Sequence, residues 1–136
     1  MIKIIIITHG QLGDEFYKTA ESIVGKQEET LVLSLGSHEG LTSLHQRTGD
    51  TLKDVENSDG ALILTDMLGG TPCNACLPFS NNDKVEIVSG VNLYMLLSAF
   101  INRKNMPVKE LAAKVISDGQ KNIANAKDLF LKKLKK

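Results

Sequence analysis

The chain has no tryptophan, and its aromatic residues are four phenylalanines and two tyrosines. Such a composition leaves little from which to build a platform for stacking bases. An excess of charge of one sign is missing too, since 16 basic residues face 16 acidic ones. Nucleic-acid and membrane-surface proteins normally carry a basic excess, so neither a nucleic-acid partner nor a membrane-surface role is expected. The basic end, residues 131–136, reads as the solvated C-terminus of a helix, where cations suit the helix dipole. No apolar run approaches the ~20 residues of a membrane span, and the apolar start is too short for a signal peptide and lacks its cleavage pattern. A cytoplasmic protein without membrane insertion is the expectation. Two cysteines, Cys73 and Cys76, provide no disulfide framework. Repeats, linkers and low-complexity segments are absent, so residues 1–136 are expected to form one domain. A chain of this length buries ~68% of its unfolded surface.

What is present is an alternation of strand and helix patterns. Residues 2–8, with isoleucine at positions 2, 4, 5, 6 and 7, read as a buried strand. Residues 12–24 read as a helix with Leu12, Phe16, Ala20, Ile23 and Val24 on one face, ended by Gly25. Strands are expected at 30–35, 61–65 and 85–88. Helices are expected at 41–55, from Thr71, at 91–102 and after Pro107, with Gly119 as an interruption. Short strands joined by helices imply a parallel sheet with right-handed crossovers. The expected fold is a three-layer α/β sandwich with a mainly parallel four-stranded sheet in the order 2-1-3-4. The first and third strands are then neighbours, and His9 and Asp66 leave the same sheet edge side by side. Ligands bind at that edge, beyond the carboxyl ends of the strands.

Histidine is the side chain best suited to act as a nucleophile at neutral pH without unusual activation. A carboxylate at Asp66 accepting a hydrogen bond from Nδ1–H would fix the tautomer of His9 and leave a lone pair on Nε2. It would also stabilise the imidazolium formed when Nε2 is substituted. Three residues after Asp66, Gly69-Gly70-Thr71-Pro72 places Thr71 as an N-cap and Pro72 in the first helical turn. Glycines allow close backbone approach, and free amides at a helix start favour an anion. Each part has an ordinary reading when taken alone: a satisfied loop histidine, a turn-forming aspartate, a capped turn. Their convergence on one edge favours a phosphohistidine site.

Thr8-His9-Gly10, Asp66-x-x-Gly-Gly-Thr-Pro-x-Asn and Ser89-Gly90-Val91-Asn92 together resemble the mannose-type IIA component of the bacterial phosphoenolpyruvate:sugar phosphotransferase system. The resemblance runs from Met1 to about Asn125. It implies that His9 accepts a phosphoryl group on Nε2 from phospho-HPr and passes it to a IIB component. It also implies that Asp66 orients His9 and that Thr71 hydrogen-bonds the phosphate, seated by Gly10, Gly69 and Gly70. No cofactor and no metal are implied. The family is dimeric, so a homodimer is expected, and some members exchange an added C-terminal antiparallel strand. Here the residues after Gly119 read as helical, against such an exchange.

Other residues near the edge have competing readings. Cys73-Asn74-Ala75-Cys76 is a CxxC at a helix start, but it follows the anion-binding turn, and buried small residues are favoured over redox chemistry or zinc. His38 could rim a partner surface, and Met67 and Leu68 are candidates for partner docking. His45, within a helix, reads as structural or solvated. A histidine phosphatase would carry arginine where Thr8 stands and a second histidine late in the chain, yet none follows His45. A receiver-like domain phosphorylated on Asp66 would need an acidic cluster after the first strand. A dihydroxyacetone-kinase phosphoryl donor subunit is closer, with a different turn expected in place of residues 69–72. A binding module without transfer activity is the last alternative. The sugar is not legible in the sequence.

Overall fold

The computed structural model describes residues 1–135. Strand β1 (Lys3–His9) is followed by α1 (Leu12–Val24), β2 (Thr30–Leu35), α2 (Leu41–Thr51), β3 (Ala61–Thr65), α3 (Thr71–Cys76) and β4 (Val85–Val88). Three helices complete the chain: α4 (Leu93–Asn102), α5 (Val108–Lys121) and α6 (Ala126–Leu134). The sheet is parallel throughout, in the order β2-β1-β3-β4.

The isoleucine run explains why β1 lies at the centre. β-branched side chains suit a pleated surface, and successive residues point to opposite faces. Ile4 and Ile6 pack with Leu62 and Leu64 under α1, α4 and α5. Ile5 and Ile7 pack with Ile63, Leu44 and Ala75 under α2 and α3. All four isoleucines are fully buried, so one strand feeds both cores. Helix α1 lies close on the sheet because Gly13 has no side chain: a β-carbon there would sit 3.0 Å from both Thr8 Oγ1 and Val32. The Gly13 amide donates to Thr8 Oγ1 at 2.7 Å, which satisfies a fully buried hydroxyl.

Several boundaries differ from those the sequence suggests. Helix α2 stops at Thr51 instead of Val55, giving way to a turn and a 3₁₀ segment at Val55–Asn57. Near that end, Thr48 and Thr51 hydroxyls donate to the carbonyls of Leu44 and Thr48, and Leu52 N–H bonds back to Gly49. Local side-chain bonds of this kind compete with the helical ladder. Leu52 and Val55 still reach the core. Helix α4 begins at Leu93 because Asn92 caps it, its side chain accepting the Met95 amide at 3.0 Å. Gly119 does not interrupt α5. It is buried against Met95, whose side chain would collide with any β-carbon there, so the glycine serves packing. No fifth strand occurs among the described residues, and the segment after α5 forms α6 instead of the added antiparallel strand.

At the edge opposite the strand ends, Arg103 is only 2% exposed. Its guanidinium donates to the carbonyls of Ile2 and Glu29 at 2.8 and 2.7 Å and stands 5.8 Å from the Phe100 ring centre. It ties the end of α4 to the starts of β1 and β2.

Candidate functional site

His9 is the last residue of β1, and Asp66 follows the last residue of β3. Parallel pairing of β1 with β3 carries Ile7 opposite Thr65, which brings the two side chains together at the same edge. Asp66 Oδ2 accepts from the His9 backbone amide at 2.9 Å and lies 2.7 Å from His9 Nδ1. Its other oxygen accepts the Met67 amide at 3.0 Å. An ionised carboxylate only accepts, so Nδ1 carries the proton and Nε2 keeps its lone pair.

Burial opposes ionisation of Asp66, whose side chain is 10% exposed, but the bonds from His9 outweigh it and hold the carboxyl below its usual 3.8. Asp66 is therefore an anion at neutral pH. His9 is 47% exposed, so the ring is fixed from behind and open in front.

The Gly69-Gly70 turn wraps the open side. Gly69 adopts a φ of +84°, a conformation that favours glycine. A β-carbon at Gly70 would stand 2.9 Å from His9 Cε1 and 3.6 Å from Nε2, so this backbone passes close to the Cε1–Nε2 end of the ring. Gly70 is itself the N-cap residue of α3, with Thr71 and Pro72 inside the helix. Thr71 as N-cap is thus corrected by one position: the cap must approach the imidazole, and no side chain fits there. The Thr71 hydroxyl makes no hydrogen bond among the described residues. The Thr71 and Cys73 amides sit in the first turn, where a helix has no internal acceptor to offer. Asn74 donates to the Gly69 carbonyl at 3.3 Å and braces the turn. Gly10, at φ +49°, bonds to Leu35 O at 3.1 Å and turns the chain away from the ring.

Among the docking candidates, Met67 and Leu68 are 54% and 77% exposed beside Asp66. His38 is exposed in the β2–α2 loop. Sequence reasoning missed how that loop is held. Glu39 accepts from the Gly36 amide, Ser43 and Arg47, and Arg47 also reaches the Ser34 carbonyl. These bonds, the Gly36 amide first, hold the Glu39 carboxyl below its usual value. A glutamate followed four residues later by serine and eight later by arginine was the only signal.

His45 is structural: Nδ1 lies 3.0 Å from Ala75 O, and the ring stacks on Phe79 at 4.9 Å, joining α2 to α3. Cys73 and Cys76 are buried free thiols. Burial, with Cys73 nearby, pushes Cys76 up to about 12, far from the thiolate that redox chemistry requires. No group of three metal-ligating side chains occurs among the described residues. Nor does any helix among them have the length and apolarity to cross a membrane.

The arrangement suits a nucleophilic imidazole with an anion-friendly backbone beside it. Comparison with known proteins agrees in class. The family model EIIA-man, described as the PTS system fructose IIA component, matches residues 3–116. The fructose-specific EIIA component of Bacillus subtilis is 30% identical over 82% of this chain and 77% of its own length. The mannose-specific EIIAB component of Escherichia coli is 30% identical over 90% of this chain, but the match spans only 38% of that longer protein. Among solved structures, a phosphotransferase system component EIIA from Streptococcus agalactiae has a TM-score of 0.82 at 32% identity, covering 92% of this chain and 97% of that one. The mannose/sorbose-specific IIA subunit from Enterococcus faecalis has a TM-score of 0.81 at 28% identity, covering 91% and 93%.

Proposed function

The chain belongs to the EIIA-man family of phosphotransferase-system IIA components, phosphoryl carriers of sugar transport, and from that premise we propose that His9 is the residue that carries the phosphoryl group. Nε2 attacks the phosphorus of a phosphohistidine on HPr. A new N–P bond forms on His9 as the donor's N–P bond breaks, and that bonding pair returns to the donor imidazole. The reverse exchange delivers the group to a IIB component. The whole of residues 1–136 serves as one IIA domain, working as a homodimer at the cytoplasmic side of the membrane.

The observation that carries this reading is the 2.7 Å contact of Asp66 with Nδ1, which leaves Nε2 without a hydrogen-bond partner among the described residues on a ring that is 47% exposed. Asp66 fixes the tautomer and stabilises the positive charge that develops on the ring as Nε2 is substituted. The Gly69–Gly70 backbone and the Thr71 hydroxyl receive the phosphoryl oxygens, whose charge is spread through a loose transition state. Met67 and Leu68, with His38 across the edge, form the apolar and polar rim on which the partners dock.

The test is incubation with phosphoenolpyruvate, enzyme I and HPr, followed by intact mass and acid treatment. One acid-labile phosphoryl group is expected on the wild type and none on His9→Ala. A group that survives acid, or label that persists in His9→Ala, refutes the proposal. A histidine phosphatase is disfavoured because Thr8 stands where such an enzyme carries arginine and no histidine follows His45, whereas a carrier needs only the phosphorylated ring.

A further inference from the structure

The overall balance of charge conceals a segregation that the fold makes physical. Residues 126–136 hold five lysines and one aspartate, so the other residues carry 11 basic groups against 15 acidic ones. Every residue from Lys121 to Lys135 is exposed. Within this stretch α6 is nonetheless a specified helix: the Asn125 side chain accepts the Asp128 amide at 3.1 Å, and Lys132 and Lys133 occupy its last turn. Ala126, Phe130 and Leu134, spaced four apart, form one stripe, and Phe130 and Leu134 are 61% and 66% exposed. At 100° per residue, Lys127 and Lys133 lie on either side of that stripe, while Lys132 and Lys135 lie on the far side.

A nine-residue helix is marginal in water without a surface to pack on. We propose that α6 lies on an anionic lipid surface, with Phe130 and Leu134 entering the acyl boundary and the flanking lysines reaching the headgroups. Lysines bordering an apolar stripe can bury their stems and keep their ammonium groups among phosphates. Docking of α6 alone on a second copy fits less well. Its four large apolar side chains, Leu129, Phe130, Leu131 and Leu134, are 52%, 61%, 43% and 66% exposed, too few to supply alone the ~800 Å² per partner of a stable interface.

Placement adds meaning. Helix α5 ends beside the β4–α4 loop, where Asn92 donates to the Gly119 carbonyl, so α6 leaves the domain at the edge that bears His9. Seating α6 on the bilayer brings that edge to the surface across which the sugar is transported.

The test is co-sedimentation of the full chain with vesicles of phosphatidylcholine alone or mixed with phosphatidylglycerol. Binding to the anionic vesicles is expected to exceed that to neutral ones by at least ~10-fold at low salt and to fall by a similar factor in high salt. Phe130→Asp with Leu134→Asp should abolish it while leaving the thermal unfolding midpoint in place, because α6 contributes nothing to either core. Lys127→Glu with Lys133→Glu removes charge but no apolar surface and should abolish it as well. His9→Ala should bind vesicles like the wild type, which separates this proposal from phosphoryl transfer. Absence of binding, equal binding to neutral vesicles, or retention by the lysine variant overturns the proposal. So does a wild-type dimer in sedimentation velocity that the Phe130/Leu134 variant dissociates, since the helix would then cover a second copy.

Discussion

Replacing Asp66 by asparagine tests the central geometry with almost no change in shape. One carboxylate oxygen accepts two bonds from His9, at 2.9 and 2.7 Å, and the other accepts the Met67 amide at 3.0 Å. An amide can satisfy only one side of this arrangement. With its oxygen toward His9, the NH₂ meets the Met67 N–H, donor against donor, at a cost of ~1–3 kcal/mol. Rotated, it bonds Met67 correctly but points NH₂ at His9, and the ring must then place its proton on Nε2, the atom that should attack. Even in the better rotamer the negative charge is gone. A charge-assisted bond is worth ~1.5–3 kcal/mol against ~1 for a neutral one, so the positively charged ring loses ~1–2 kcal/mol of stabilisation. With tautomer competition added, transfer from phosphorylated HPr should slow by roughly 10- to 100-fold at 1.36 kcal/mol per decade. Rapid-quench measurement of His9 phosphorylation reads the rate, and denaturant unfolding checks the fold. A folded Asp66→Asn protein whose rate stays within about 2-fold of wild type would refute the orienting role.

Three further outcomes follow from the same structure. Gly70→Ala should keep the fold but displace the imidazole, because its methyl would stand 2.9 Å from Cε1; transfer should fall by ~10-fold or more with unfolding nearly unchanged, and a wild-type rate would show that the turn yields freely. Arg103→Met should cost ~3 kcal/mol or more in urea unfolding, since the buried Ile2 and Glu29 carbonyls lose their donors; a loss under ~1 kcal/mol would mean that water replaces the guanidinium. Asp66, Glu39 and Asp118 all have carboxyl groups held below their usual values, Asp118 chiefly by the Ser98 hydroxyl that donates to it at 2.6 Å. The native state therefore binds fewer protons than the unfolded chain in acid. Their stabilisation is complete above about pH 5 and is lost as pH falls through their native values, beneath the ordinary carboxylate range. Unfolding free energies measured at descending pH should show that loss for the wild type and a smaller one for Asp66→Asn.

The residues differ in how far their roles can be read before folding. Ile4 to Ile7 announce a strand buried on both faces, because no other common element hides a continuous apolar run so short. Gly25 and Pro107 mark helix boundaries by their own backbone restrictions. His9 and Asp66 were legible as a pair because the order of strands in a parallel sheet is strongly constrained by handed crossovers. By contrast, the end of α2 depended on competing threonine hydroxyls, and the role of Gly119 on contact with Met95 across two helices. The bracing of Glu39 by Arg47 joins a loop to a helix through side chains that carry no periodic signal.

By itself, then, the sequence determined what is local or periodic: the strands, most of the helices, the layer order and the pairing of His9 with Asp66. Only the tertiary structure decided distances and exclusions. It put the Gly70 backbone close to the Cε1–Nε2 end of the His9 ring, moved the cap from Thr71 to Gly70 and sealed both cysteines in the core. It also left α6 exposed along its length, where the pattern showed only a basic helix end. The physical reason is that propensity and pattern act within a few residues. Close approach, burial and the fate of an apolar stripe depend on what the rest of the chain brings opposite them.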